Sequence, residues 1–177
     1  MSDQIVNINK THSTHTSVLN LCIASLFMAI TIALSSFGIP VPGGHLYIND
    51  IAIVTASLIL DPFSAFLVGG IGSFLGDFLF YPAPMFVSLI THGLQAIVIS
   101  LIARKSSRIS IGFLAASLGG IIMVIGYTLG RAFIYSTIPY AIMKLPFQIL
   151  QALVGIVAGV ILVYKFDLKR LYHRFNA

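Results

Sequence analysis

Ser88, His92 and Gln95 stand at i, i+4 and i+7 of an apolar run, a spacing that puts all three on one face of a helix. A serine beside a histidine is part of an acyl-transfer set, which also needs a carboxylate to orient the imidazole and an oxyanion site. No acidic residue sits beside this pair in sequence and no oxyanion motif is recognisable. A hydroxyl, an imidazole and an amide on one face suit a different task, hydrogen bonding to a polar solute. The pattern recurs. Tyr127, Arg131 and Tyr135 repeat every fourth residue, and Lys144, Gln148 and Gln151 form another stripe. His45, Tyr47 and Asn49 lie at one end of an apolar run, and Asp77 and Tyr81 lie at the end of the next.

The elements that carry these groups are membrane spans. The chain of 177 residues is 58% hydrophobic and 8% charged, whereas a soluble domain carries about 25% charged residues. Apolar runs fall at about 18–39, 47–60, 62–80, 85–103, 111–137 and 145–164. Six transmembrane helices in one all-α membrane domain over 18–164 follow, with a polar N-terminal tail over 1–17 and a basic tail over 165–177. The second run rises roughly 20 Å, less than the roughly 30 Å hydrocarbon core, and reads either as part of a binding region or as a re-entrant or tilted helix. No cleavable signal peptide is evident, since the first 17 residues are polar and the apolar run after them is long enough to remain as a span.

All five acidic residues are Asp, so paired-carboxylate catalysis has little material, and the single Cys22 excludes a disulfide framework or a cysteine metal site. His12 and His15 belong to a run KTHSTHTS that reads as solvated tail. Lys10, Arg104, Lys105, Arg108, Lys165, Lys169, Arg170 and Arg174 fall on one side of six alternating helices, and only Arg131 and Lys144 do not. Both termini and the 104–110 loop are therefore expected in the cytoplasm. The net charge of +5 is then juxtamembrane, with no call for nucleic acid, and KFDLKRLYHRF forms an amphipathic interfacial end.

With this topology the polar stripes meet in the outer halves of the helices and define a pocket for a small, flat, polar molecule. Alternatives stand beside this reading. Asp77 and Arg131 also suit a plain interhelical ion pair, His92 a packing role, and Tyr81 and Tyr135 the aromatic belt of a membrane interface. Ser25, Ala29 and Ala33 recur every four residues, a small-residue stripe that lets another helix approach closely. Gly72–Gly76, Gly126–Gly130 and Gly155–Gly159 are similar pairs, whose ordinary use is internal packing.

Segment 44–104 resembles the S components of energy-coupling factor (ECF) vitamin transporters, in particular the branch for riboflavin, hydroxymethylpyrimidine and pyridoxine. The similarity rests on Asn49-Asp50, on Asp61-Pro62 where the family usually has Gly-Pro, on Gly72-Ser73 with Asp77, on Tyr81 with Pro82 and Pro84, and on Gly93. Where the family often shows Lys-Gly-Leu-Glu-Gly, this chain has His92-Gly93-Leu94-Gln95-Ala96. The resemblance implies a substrate-binding subunit without cofactor or enzymatic activity, in the plasma membrane of a bacterium, working with a transmembrane coupling subunit and two cytoplasmic ATPases. The chain itself has no G-x-x-x-x-G-K-[ST] sequence. It further implies that Ser25, Ala29 and Ala33 dock on the coupling subunit, and that Pro42, Gly43, Gly44, His45, Leu46 and Tyr47 form a lid. Reorientation of the closed subunit would then carry the solute inward.

The formal charges of Asp50, Asp77, Arg131 and Lys144 cancel, which favours a neutral or zwitterionic solute. A pyridine or pyrimidine vitamin (pyridoxine-like or hydroxymethylpyrimidine) is expected first and riboflavin next. Pantothenate is a further option, its carboxylate held by Arg131, Lys144 and His92. A stand-alone secondary carrier is the rival, disfavoured by small size and by the lack of a visible repeat.

Overall fold

Proline and glycine divide the apolar sequence into helices. In the computed structural model the chain is described over residues 2–176, with side chains for 18–172 and 174. Helix α1 is Ser2–Ser35, and its apolar part is Val18–Ser35. The side chains of His12 and His15 lie outside those described. The first apolar run was expected to continue to 39, but the helix stops at Ser35. A residue before proline is pushed towards extended backbone, and with Pro40 and Pro42 close together the chain forms β1 (Ile39–Val41) and β2 (Gly44–Leu46). These pair antiparallel, with Pro40 opposite His45. Gly43 makes the turn at φ 81°, where a side chain is strained.

Helix α2 (Asn49–Ile59) spans about 16 Å. Nine of its eleven residues are buried, so it is enclosed on every side rather than along one stripe. It packs against α1 and the later helices as the central element of the bundle. Asp61 ends the link after α2 and caps the next helix: Oδ1 accepts from the backbone N–H groups of Phe63 and Ser64, and Oδ2 from Ser64 Oγ. Helix α3 (Pro62–Phe80) carries a π-helical turn at Leu67–Ile71. Then come α4 (Met85–Ala103), α5 (Ile109–Tyr135, with a π-helical turn at Arg131–Tyr135), α6 (Ile138–Lys165) and the C-terminal α7 (Leu168–Asn176).

Among the described residues, five helices are long and apolar enough to cross a membrane: the apolar part of α1, and α3, α4, α5 and α6. Helix α2 is too short by itself. Two expected boundaries move. The fifth element covers 109–135, and the sixth begins at Ile138 rather than near 145. Thr137 is the extended residue before that helix and Pro139 lies in its first turn, a proline position that a helix start favours and that a hydropathy profile does not detect. Pro146 lies inside α6.

The glycine pairs serve internal contacts. A Cβ on Gly155 would come within 2.7 Å of Asp50 Cβ, and one on Gly159 within 2.7 Å of Val54 Cγ1, so α6 approaches α2 closely. Gly72 and Gly76 face α1, while Gly126 and Gly130 face α4. One hydrophobic core joins Val54, Leu58, Ile99, Ala116 and Val160; another joins Ala24, Ala56, Leu60 and Val68. Ser25, Ala29 and Ala33 all lie exposed on α1, whereas Ala24, Thr31 and Ser35 are buried.

Candidate functional site

The N-terminal turn of α2 delivers Asp50 into the interior, where it is 1% exposed. A buried carboxylate needs compensating donors, and neighbouring helices supply them. Gln95 Nε2 on α4 donates to Oδ1 at 3.3 Å, and Gln151 Nε2 on α6 donates to Oδ2 at 2.7 Å. His92 Nδ1 meets Gln95 Oε1 at 2.6 Å and stands 3.8 Å from Asp50 Oδ1. Since the Gln95 amide nitrogen faces Asp50, its oxygen is the acceptor and His92 Nδ1 carries a proton.

A second chain of bonds runs beside the first. Ser88 Oγ donates to Asp77 Oδ2, and the Tyr127 hydroxyl donates to Ser88 Oγ at 2.5 Å. The Tyr127 ring meets His92 edge-on, with centroids 5.1 Å apart. The alternative of a plain Asp77–Arg131 ion pair is therefore not realised. Among the described residues, Arg170 pairs with Asp167 at 3.9 Å, and His92 Nδ1 approaches Asp50 Oδ1 at 3.8 Å. Asp77 is taken by Ser88, and Arg131 turns to the hairpin instead, its Nη1 donating to Gly43 O at 2.5 Å while its guanidinium lies over the Tyr135 ring.

The hairpin covers this end of the bundle. Gly43 lies against Lys144 and the Tyr140 carbonyl, and Gly44 against Arg131. His45 packs between the rings of Tyr47 and Tyr81, at 6.2 and 5.8 Å. The backbone N–H of Tyr47 donates to Gln151 Oε1 at 3.1 Å. Burial pushes the Tyr47 phenol up to about 12, with Asp77 and Tyr81 adding to the shift and Arg131 opposing it. Leu46 is half-buried and Pro42 exposed.

Three polar atoms in this region are buried without a hydrogen-bond partner: Lys144 Nζ, Tyr135 OH and His45 Nδ1. Lys144 as a residue is only 2% exposed. An unpaired buried cation is expensive, and a ligand oxygen or ring nitrogen would complete it. Not every expected residue joins the cluster. Gln148 Nε2 donates to Met123 Sδ at 2.9 Å, and Asn49 Nδ2 donates to Ser35 Oγ at 3.3 Å on the α1 side. The residue absent from the expected contact set is Asp50, the hub of the network. Its signal was present in sequence as a carboxylate in the first turn of an apolar helix.

Two comparisons bear on this arrangement. A family model described as "ECF-type riboflavin transporter, S component" matches residues 15–168. The chain is also similar to a protein of Pyrococcus woesei described as an uncharacterized protein in the gap 3′ region. They are 29% identical over 133 residues, covering 74% of this chain and 89% of that one.

Proposed function

Because the chain belongs to the family of ECF-type riboflavin transporter S components, a family of substrate-binding transport components rather than enzymes, we propose that its hairpin-covered polar cluster captures a small heteroaromatic vitamin. The observation that carries this reading is the trio of buried, unpartnered atoms, Lys144 Nζ, Tyr135 OH and His45 Nδ1. They combine a cation, a hydroxyl and a ring nitrogen under a removable cover, among aromatic walls. Asp50, Asp77, Arg131 and Lys144 sum to zero formal charge, which favours a neutral or zwitterionic pyridine or pyrimidine, pyridoxine-like or hydroxymethylpyrimidine. Riboflavin is the second reading, and the description of the matched family favours it.

The chain is a multi-pass membrane protein. In the proposed arrangement α2 completes six membrane-embedded helices, both termini face the cytoplasm and the hairpin faces outwards, in the cell membrane of a bacterium. Solute enters, the 40–47 segment closes, and the subunit reorients against a transmembrane coupling subunit driven by two ATPases. The exposure of Ser25, Ala29 and Ala33 on α1 supports a docking role for that stripe.

Small molecules released from gently purified protein and identified by mass spectrometry, then titrated back, test the substrate assignment. A pyridine or pyrimidine that rebinds tightly supports the first reading, and riboflavin the second. Protein that binds no B vitamin overturns the assignment. Uptake that follows an ion gradient and survives ATP depletion would instead indicate a stand-alone carrier.

A further inference from the structure

Two cavities adjoin at the end of the bundle opposite the hairpin. One, of about 270 Å³, is lined in part by Arg104, Lys169, Ser107, Asn20 and Tyr172. The other, of about 300 Å³, is apolar and runs between α1 and α7, lined by Leu19, Ile23, Phe27, Leu168 and Leu171. Ile59 and Tyr172 belong to both, so the polar chamber opens beside the apolar groove. The polar chamber is firmly built. Lys169 Nζ donates to Ala103 O at 3.2 Å, beside the Tyr164 ring, and Tyr172 OH donates to Asn20 Oδ1 at 2.7 Å. Among the described residues, the one carboxylate on its wall is Asp61, which accepts from Phe63 and Ser64 and so has its charge already engaged.

We infer that these joined cavities bind one anionic phospholipid, its phosphate between Arg104 and Lys169 and an acyl chain in the groove between α1 and α7. Charge and polarity follow the order of the lipid itself: the cations and the Ser107 hydroxyl in one chamber, hydrocarbon in the next. The location agrees, because α7 follows the end of the spanning helix α6 directly and carries Lys169 and Arg170 beside Leu168, Leu171 and Tyr172, as an interfacial helix does. A lipid lying across both chambers would staple α7 to α1.

The full chain in nanodiscs of phosphatidylcholine with one-fifth phosphatidylglycerol provides the test, with native mass spectrometry counting the lipids retained on release. Each basic side chain near an anionic surface gives about a fivefold preference, so R104Q/K169Q should lose on the order of 25-fold in phosphatidylglycerol retention. K105Q/R170Q, which alters charge outside the cavity, should keep it, and R104K/K169R should restore it. An Ile23→Asn change in the groove should lower retention while leaving both cations in place. Equal loss in the two glutamine variants would mean diffuse surface attraction and would overturn the site. Displacement of the lipid by inorganic phosphate alone would do the same, since the chain would then contribute nothing. Unchanged vitamin binding in each variant shows that the bundle remains folded.

Discussion

Gln151 donates its Nε2 to Asp50 Oδ2 across 2.7 Å, and its Oε1 accepts from the backbone N–H of Tyr47 at 3.1 Å. One amide thus ties the sixth helix to the central helix and to the covering segment. Gln151→Ala removes both bonds and leaves a buried carboxylate short of a donor. Stability should fall by about 1–3 kcal/mol, and vitamin affinity with it. Gln151→Glu, which sets two carboxylates together, should be worse. Thermal unfolding with calorimetric titration checks both, and an Ala variant with unchanged affinity would separate Gln151 from the site.

Lys144→Met tests the unpaired cation. Replacing a buried charge that has no partner by an apolar chain of similar length should leave the empty protein as stable or more so. Vitamin affinity should nevertheless fall by roughly tenfold or more, the range for a hydrogen bond to a charged group. Unchanged affinity would remove Lys144 from the contact set.

Arg131 holds the hairpin by its bond to Gly43 O. Arg131→Ala should release that cover and speed vitamin dissociation more than it slows association, as stopped-flow traces would report. Gly43→Ala should act in the same direction, since the added Cβ would stand 2.8 Å from the Tyr140 carbonyl at a positive φ.

Ala29→Leu fills the exposed stripe on α1. It should abolish co-purification with a coupling subunit while leaving vitamin binding intact. Assembly that survives the change would place the docking surface elsewhere.

Asp61 gives a pH signature. Burial raises its pKa, but the hydrogen bonds from Ser64 and Phe63 prevail and hold the carboxyl below its ordinary value. A depressed folded pKa adds stability above the unfolded value, and that stability is lost as pH falls through the folded one. Asp61→Asn keeps an N-cap oxygen and should remove this group's share of the stability lost on the acid side, whereas Asp61→Ala should cost about 1 kcal/mol at neutral pH.

Much of the bundle is legible in the sequence because its punctuation has local causes. Pro40 and Pro42 break the first helix, and Asp61-Pro62 starts the third. The polar stripes also converge, since four-residue spacing fixes a helix face whatever packs on it. What pairs with what is a tertiary outcome. Arg131 and Asp77 are attractive partners on paper, yet Ser88 and Gly43 claim them once the hairpin folds over. Asp50 hides in plain view for a similar reason: its partners lie 45 and 101 residues away.

Pro146 gives the sixth helix two mechanical parts. Having no N–H, it cannot bond to the carbonyl one turn back, and its ring crowds that turn. The stem beyond it carries Gln148 and Gln151, anchored on Met123 and Asp50. The first arm, 138–145, carries Lys144 against the hairpin. The helix is therefore at its weakest between the arm that meets the hairpin and the stem that holds the carboxylate network.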